Sequence, residues 1–165
     1  MTGGIMRIVV DSNVWIDSYC PWHAGCEAAR QFLAKARQNG ALLFYPVHVI
    51  KDVVCVVRNE YLRDIRRTKG AVEEEDARAV DEIALGCMRN IGELATAVGA
   101  DSSDVWLANK YLSIHNDFED DLVLAACKRC DADYLVTNDR CLIDHANVLS
   151  KTPAQMLPLL TLDNA

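Results

Sequence analysis

The chain alternates short apolar runs with longer segments in which apolar residues recur at helical spacing. Three short runs predict buried β-strands, at residues 6–10, 41–46 and 132–139. Three longer segments predict amphipathic helices, at residues 22–39, 48–63 and 73–98. Because strands and helices alternate along the chain, this order predicts a three-layer α/β/α sandwich with a mainly parallel central sheet.

Polar residues mark the starts of further helices. Asp101 followed three residues later by Asp104 has the pattern of a capping box. Asp117 predicts the cap of the next helix, with Asp120 at its third position. The basic segment at residues 63–70 predicts a helix end and a loop, "NVLS" a short fourth strand, and "TPAQMLPLL" a last helix.

Composition limits the classes of protein to consider. Of the 165 residues, 51% are hydrophobic and 25% are charged, which is typical of a soluble globular protein. No apolar stretch approaches the roughly 20 residues of a membrane span, and the start of the chain lacks the pattern of a secretory signal, so we expect a cytoplasmic protein without a membrane contact. Cys127 and Cys130 fall on one face of an apolar helix, which favours core packing over zinc or redox chemistry.

Four aspartates are the candidates for chemistry, because each is a polar residue in an apolar or helix-capping setting. Asp11 follows the first strand in "RIVVDSNVWID", and Asp139 ends "YLVTND". Asp52 and Asp120 lie in predicted helices that follow or precede strands. Sites in parallel sheets form beyond the carboxyl ends of the strands, where four carboxylates would repel one another unless a cation held them. Oxygen ligands of this kind suit Mg²⁺ or Mn²⁺.

Three segments resemble the successive motifs of the PIN domain family, "VVDSNVWID", "VIKDVVCVVR" and "DFEDDLVLAACKRCDADYLVTND". The resemblance spans roughly residues 6–145 and rests on the order and spacing of the motifs. It implies a PIN-like fold in a single domain, residues 1–165, with a helical insert at about 63–115. It also implies a ribonuclease that depends on Mg²⁺ or Mn²⁺, and many members are toxins of toxin–antitoxin pairs.

By position, the resemblance implies that Asp11, Asp52, Asp120 and Asp139 are the catalytic acids. Asp11, Asp120 and Asp139 are the implied metal ligands, with Asp117 as a competing or accessory acid. Asp52 stands where the family commonly has Glu, so its side chain is one carbon shorter.

Three uncharged residues match polar positions of the family, Asn13, Thr137 and Asn138. We expect them to orient water or the acids. Asp17 is interpreted as a cap or loop acid, and His48 as a surface or helix-end residue.

The net charge of −7 leaves no obvious basic track for RNA. Candidate RNA contacts are therefore limited to one dense basic segment and the neighbour of Asp139, which together supply Arg58, Arg63, Arg66, Arg67 and Arg140.

The favoured function is a metal-dependent endoribonuclease, with RNA as substrate and with an antitoxin partner or a homodimer as the implied associations. A phosphotransferase with Asp11 as nucleophile needs an acid two residues later, and Asn13 stands there. A catalytically weak PIN-like module that acts through a protein partner is the remaining alternative.

Overall fold

A computed structural model describes residues 4–112 and 117–162. Within these ranges the strands are β1 (Arg7–Val10), β2 (Leu42–Pro46), β3 (Thr96–Val98), β4 (Tyr134–Val136) and β5 (Leu149–Lys151). The helices are α1 (Ser12–Tyr19), α2 (Cys26–Gln38), α3 (Val49–Lys69), α4 (Glu74–Leu94), α5 (Ser102–Tyr111), α6 (Phe118–Arg129), α7 (Arg140–His145), α8 (Pro153–Met156) and α9 (Leu159–Leu162). No helix of the described residues is long and apolar enough to cross a membrane.

The five strands form one sheet in the order β3-β2-β1-β4-β5, and every neighbouring pair is parallel. The central strand is β1, in which Ile8 pairs with Leu43 of β2 on one side and with Tyr134 of β4 on the other. Ile8, Val9 and Val10 are fully buried, as expected for a parallel strand that is covered on both faces. The predicted mainly parallel α/β fold is confirmed.

The direction of the chain through the sheet reverses once. The chain moves outward from β1 to β2 and β3, then returns to the other side of β1 to form β4 and β5. Crossovers between parallel strands are almost always right-handed, so helices of the two halves cover opposite faces of the sheet. The reversal also separates the connections that leave β1 and β4, which opens a crevice at the carboxyl ends of these two strands.

A single apolar cluster fills the space between the sheet and its helices. Trp15 and Phe32, from α1 and α2, are the largest side chains that are fully buried in it. Cys127 and Cys130 are buried in the same cluster, and both are free thiols. The predicted packing role of these two cysteines is confirmed.

Helix α1 differs from the sequence-based expectation, which contained no helix between the first strand and residue 22. Asp11 caps α1 by accepting a hydrogen bond from the Ser12 backbone N–H at 2.7 Å, and Val14, Trp15 and Ser18 form its buried face. Asp17 lies inside this helix, so its interpretation as a cap or loop acid is wrong. A strand of four residues followed at once by a helix leaves no turn signal between the two elements.

The region predicted as one helix from residue 73 to 98 consists of α4 and the edge strand β3. The helical spacing of apolar residues continues through Ala95 and Val98, but Ala95 is extended and Val98 pairs with Pro46 of β2. Pairing with the sheet therefore overrides a continuous helical pattern.

The segment 63–70 is not a loop, because α3 continues to Lys69 and ends at Gly70, whose φ of 88° suits a glycine. The stretch 63–115 thus holds the end of α3, all of α4, β3 and α5, while its residues 113–115 lie outside the described part.

A partly buried ion pair fixes α5 against α6, the helix that carries Asp117 and Asp120. The Asp104 carboxylate is 5% exposed and accepts hydrogen bonds from Arg129 Nη2 at 2.6 Å and from Arg129 Nε at 3.1 Å. Arg129 Nη2 also lies 2.8 Å from Asp101 Oδ2. Arg129 holds the pKa of Asp104 below its ordinary value, so this carboxylate is charged in the fold.

Replacing Arg129 by Ala should lower the free energy of unfolding, because it removes the guanidinium donors of the buried Asp104 carboxylate and leaves it only the Asp101 backbone N–H. Urea denaturation at neutral pH measures this change. Arg78→Ala is the matched control, since it breaks an exposed pair with Glu74 and should cost less than about 1 kcal/mol. Equal losses in the two variants would contradict the assigned role of Arg129.

Candidate active site at the carboxyl edge of the sheet

Polar residues follow the carboxyl ends of the three central strands. Asp11 comes directly after β1, Thr137 directly after β4, and His48 two residues after β2. These strands are adjacent and parallel, so their carboxyl ends meet at one edge of the sheet. The site therefore forms at the crevice where the order of the strands reverses.

Asp11 is the buried centre of this site, with 5% of its surface exposed. Its Oδ1 accepts a hydrogen bond from the Ser12 backbone N–H at 2.7 Å, and its Oδ2 accepts one from Asn13 Nδ2 and one from Thr137 Oγ1, both at 2.8 Å. Burial raises the pKa of Asp11, the hydrogen bonds from Thr137 and Ser12 oppose this effect, and the charge of Asp139 adds to it. The carboxylate is thus held in one orientation.

The Thr137 hydroxyl joins the residues that surround Asp11. Thr137 is fully buried, and besides donating to Asp11 its Oγ1 accepts hydrogen bonds from Asn13 Nδ2 and from the Asp139 backbone N–H, both at 3.0 Å. The Asn138 backbone N–H donates to Asn13 Oδ1 at 3.0 Å. Asn13, Thr137 and Asn138 therefore make contacts suited to orienting the acids, which is the role predicted for them.

Asp139 and Asp117 each begin a helix at the site. Asp139 caps α7, where its Oδ1 accepts from the backbone N–H groups of Cys141 at 2.6 Å and Leu142 at 3.2 Å. Asp117 caps α6 and accepts from the N–H groups of Glu119 at 3.0 Å and Asp120 at 3.3 Å. The predicted cap at Asp117 is confirmed, and one of its carboxylate oxygens is occupied by that role.

Asp120 is a further acid of the site whose pKa is raised. It lies half-buried in the first turn of α6. Burial, followed by the charges of Asp117, Asp11 and Asp139, raises the pKa of Asp120 to about 7. The fold therefore brings Asp11, Asp120 and Asp139 close enough for their charges to interact.

Asp52 lies on another flank of this site, in the first turn of α3. Its charge acts on His48, whose pKa is lowered by burial and raised by the charges of Asp52, Glu119 and Asp11. His48 Nε2 is buried and has no hydrogen-bond partner among the described residues. His48 stands at the start of α3 without a side-chain capping bond, so it is a helix-end residue as predicted. It is also a neighbour of the acids, and in the sequence only its position after β2 indicates this.

The donor groups of the site suit a hard divalent cation. All the acids offer carboxylate oxygens. Burial raises the pKa values of Asp11 and Asp120, and nearby negative charges add to this, that of Asp139 at Asp11 and those of Asp117, Asp11 and Asp139 at Asp120. A cation would offset these negative charges. Over residues 4–112 and 117–162, however, no three Asp, Glu, His or Cys side chains are already arranged to hold a metal ion together.

The predicted RNA-binding arginines lie mainly at the far end of α3. Asp52 is in the first turn of this helix, whereas Arg66 and Arg67 are in its last turn. Arg58 forms an ion pair with Asp81 at 2.6 Å, and Arg63 forms one with Glu60 at 2.6 Å. Arg67 is likewise paired with Asp64 at 2.7 Å, while Arg140 is exposed beside Asp139. Their contact with RNA stays a prediction.

The pKa of Asp120 predicts how stability depends on pH in metal-free protein. Between the ordinary value of 3.8 and about 7, the folded protein keeps a proton that the unfolded chain releases. The free energy of unfolding should therefore fall as pH rises through this interval. Denaturation by urea in EDTA at several pH values should show a weaker fall for Asp120→Asn than for the exposed control Glu93→Gln. Identical pH profiles would contradict the assignment.

Thr137→Val tests the hydroxyl that joins Asp11, Asn13 and Asp139. This variant keeps the shape of the side chain but removes a donor to the buried Asp11 carboxylate, so we expect a loss of about 1–3 kcal/mol in the free energy of unfolding. Thr137→Ser retains the hydroxyl and should lose less. If urea denaturation finds Thr137→Val at least as stable as Thr137→Ser, the hydroxyl does not hold the site.

Comparisons with known proteins give a structural relative and no relative by sequence. No family model and no curated protein matches the chain. Among solved structures, the chain is similar to VapC20 of Mycobacterium tuberculosis, described as a sarcin–ricin loop cleaving toxin. The TM-score is 0.55 at 13% sequence identity, and the match covers 78% of this chain and 86% of VapC20. At this identity the likeness concerns the fold, which is α/β and PIN-like.

Proposed function

We propose that this protein is a metal-dependent endoribonuclease that hydrolyses RNA phosphodiester bonds. The observation that carries the proposal is the gathering of Asp11, Asp120 and Asp139 at the carboxyl edge of the sheet, where burial and neighbouring negative charges raise the pKa values of Asp11 and Asp120. Catalytic sites are the places where such shifts cluster. The PIN-like fold and the likeness to an RNA-cleaving toxin give further support.

Asp11, Asp120 and Asp139 are the residues proposed to hold Mg²⁺ or Mn²⁺. When bound, such a cation supplies Lewis-acid stabilisation of the charge on the phosphodiester. Thr137 and Asn13 hold the Asp11 carboxylate in place through hydrogen bonds of 2.8 Å. In the metal-free site, the pKa of Asp120 near 7 allows this group to take up or release a proton around neutral pH. Asp52 and His48 face the same site from α3 and its start.

The toxin of a toxin–antitoxin pair is the setting that we propose for this activity, because VapC20 is a toxin. An antitoxin would then be the protein partner, and Arg140 together with the basic residues of α3 would contact RNA. A homodimer stays a prediction.

A catalytically weak PIN-like binding module is the second candidate. Two observations favour it: Asp52 stands where the PIN family commonly has Glu, and the described residues hold no three Asp, Glu, His or Cys side chains already arranged for a metal ion. Calorimetric titration with Mn²⁺ separates the two candidates, because only the nuclease requires the cation.

Asp11→Asn should lower the rate of RNA cleavage by about 100-fold or more while the fold stays intact, since it replaces a charged oxygen ligand with an amide of the same shape. Gel assays on total RNA and on a sarcin–ricin loop oligonucleotide measure cleavage in Mn²⁺. EDTA should abolish cleavage by the unmodified protein, and added Mn²⁺ should restore it. The exposed variant Glu93→Gln serves as the control and should cleave normally. Retained cleavage in Asp11→Asn would refute the proposal.

A further inference from the structure

Asp17 uses both of its carboxylate oxygens to join two separate parts of the chain. Its Oδ2 accepts a hydrogen bond from Asn138 Nδ2 at 2.8 Å, and its Oδ1 lies 2.8 Å from His23 Nδ1. An ionised carboxylate can only accept, so His23 carries its hydrogen on Nδ1. The side chain of Asp17 is 19% exposed, so water has limited access to these contacts.

His23 is itself fixed on the side away from Asp17. Its Nε2 lies 3.6 Å from Glu60 Oε2 of α3, and its backbone N–H donates to the Cys20 carbonyl at 2.9 Å. Trp22 Nε1 donates to the same Glu60 oxygen at 3.3 Å. The loop between α1 and α2 is therefore tied to α3, and it presents His23 to Asp17 in a fixed position.

Gly25 shows how closely this loop surrounds the Asp17 side chain. A Cβ atom at position 25 would lie 2.3 Å from Asp17 Oδ2, which is far inside contact distance. The φ of Gly25 is −82°, so space and not backbone conformation requires the glycine. The Asp17 carboxylate has little room to move away from Asn138.

Asn13 and Asp17 are four residues apart on α1 and so lie on one face of this helix. Both hold Asn138: Asn13 accepts from its backbone N–H at 3.0 Å, and Asp17 accepts from its side chain. The next residue is Asp139, whose own N–H is held by Thr137. The loop that presents Asp139 is thus fixed to α1 at Thr137 and Asn138.

We infer that Asp17 is a positioning residue of the site, held by His23 and Glu60, which fixes Asn138 and through it the orientation of Asp139. This inference rests on the proposed nuclease function for its consequence in activity, but the contact itself does not depend on that function. Among the residues that the structure describes, the Asp17 side chain bonds His23 and Asn138 and none of the proposed metal ligands. It acts through Asn138.

A double-mutant cycle on Asp17 and Asn138 tests this inference. Hydrogen exchange of the Asp139 backbone amide reports whether its bond to Thr137 is held, and it needs neither metal nor RNA. Asp17→Ala and Asn138→Ala should each speed this exchange about 10-fold, and the double variant no further, because both remove the same contact. Asp17→Asn keeps an oxygen acceptor for Asn138 and should restore slow exchange. Asp64→Ala, which removes a surface acid of α3, is the control and should leave it unchanged.

Asp17→Ala and Asn138→Ala should also weaken Mn²⁺ binding about 10-fold in calorimetry, because the loss of an orienting contact around metal ligands has an effect of this size. They should also lower kcat for RNA cleavage more than they raise KM. Unchanged Asp139 exchange in folded Asp17→Ala, or additive effects in the double variant, would overturn the inference. Asn138 is exposed, so Asn138→Ala decides the question if Asp17→Ala does not fold.

Failure of the proposed function gives a different result. If the unmodified protein neither binds Mn²⁺ nor cleaves RNA, the nuclease proposal fails, and the exchange of the Asp139 amide still decides whether Asp17 positions the loop.

Discussion

The burial of one carboxylate at the end of the central strand is the constraint on which the rest of the site depends. An acid with 5% of its surface exposed must be surrounded by donors, and Asp11 obtains them from a helix start, an amide and a hydroxyl. The hydroxyl belongs to Thr137, which also binds the Asp139 backbone. The hydrogen bond from Thr137 to Asp11 therefore also fixes the position of Asp139. The parallel pairing of β1 with β4 brings these two strand ends together.

The acids of the site divide into two groups according to how their charge is compensated. Asp139 and Asp117 accept hydrogen bonds from helix N-termini, where backbone N–H groups and the helix dipole favour a negative charge. Asp120 sits one turn further along α6, half-buried and among like charges, and its pKa rises to about 7. A cation would therefore offset the like charges that surround Asp120.

The sequence predicts the parallel α/β fold because apolar runs and helical periods are local signals, and the strand-end aspartates are visible for the same reason. Contacts between distant segments are harder to predict. Helix α1 has no turn before it, and the helical spacing of apolar residues continues through β3, where pairing with the sheet overrides it. Asp17 acts as a positioning residue only through Asn138, which lies 121 residues away. His48 and Glu119 approach the site only because β2 and α6 are near neighbours in the fold.

The central position of β1 has a consequence for the order in which the site can form during synthesis. The strand and its aspartate are made before β4, and the hydroxyl that Asp11 needs belongs to a residue 126 positions later. Contacts of such large sequence separation form late in folding. A nascent chain on the ribosome would therefore carry Asp11 without an assembled centre until β4 has emerged, so under the proposed function it would gain activity only after that stage of its translation.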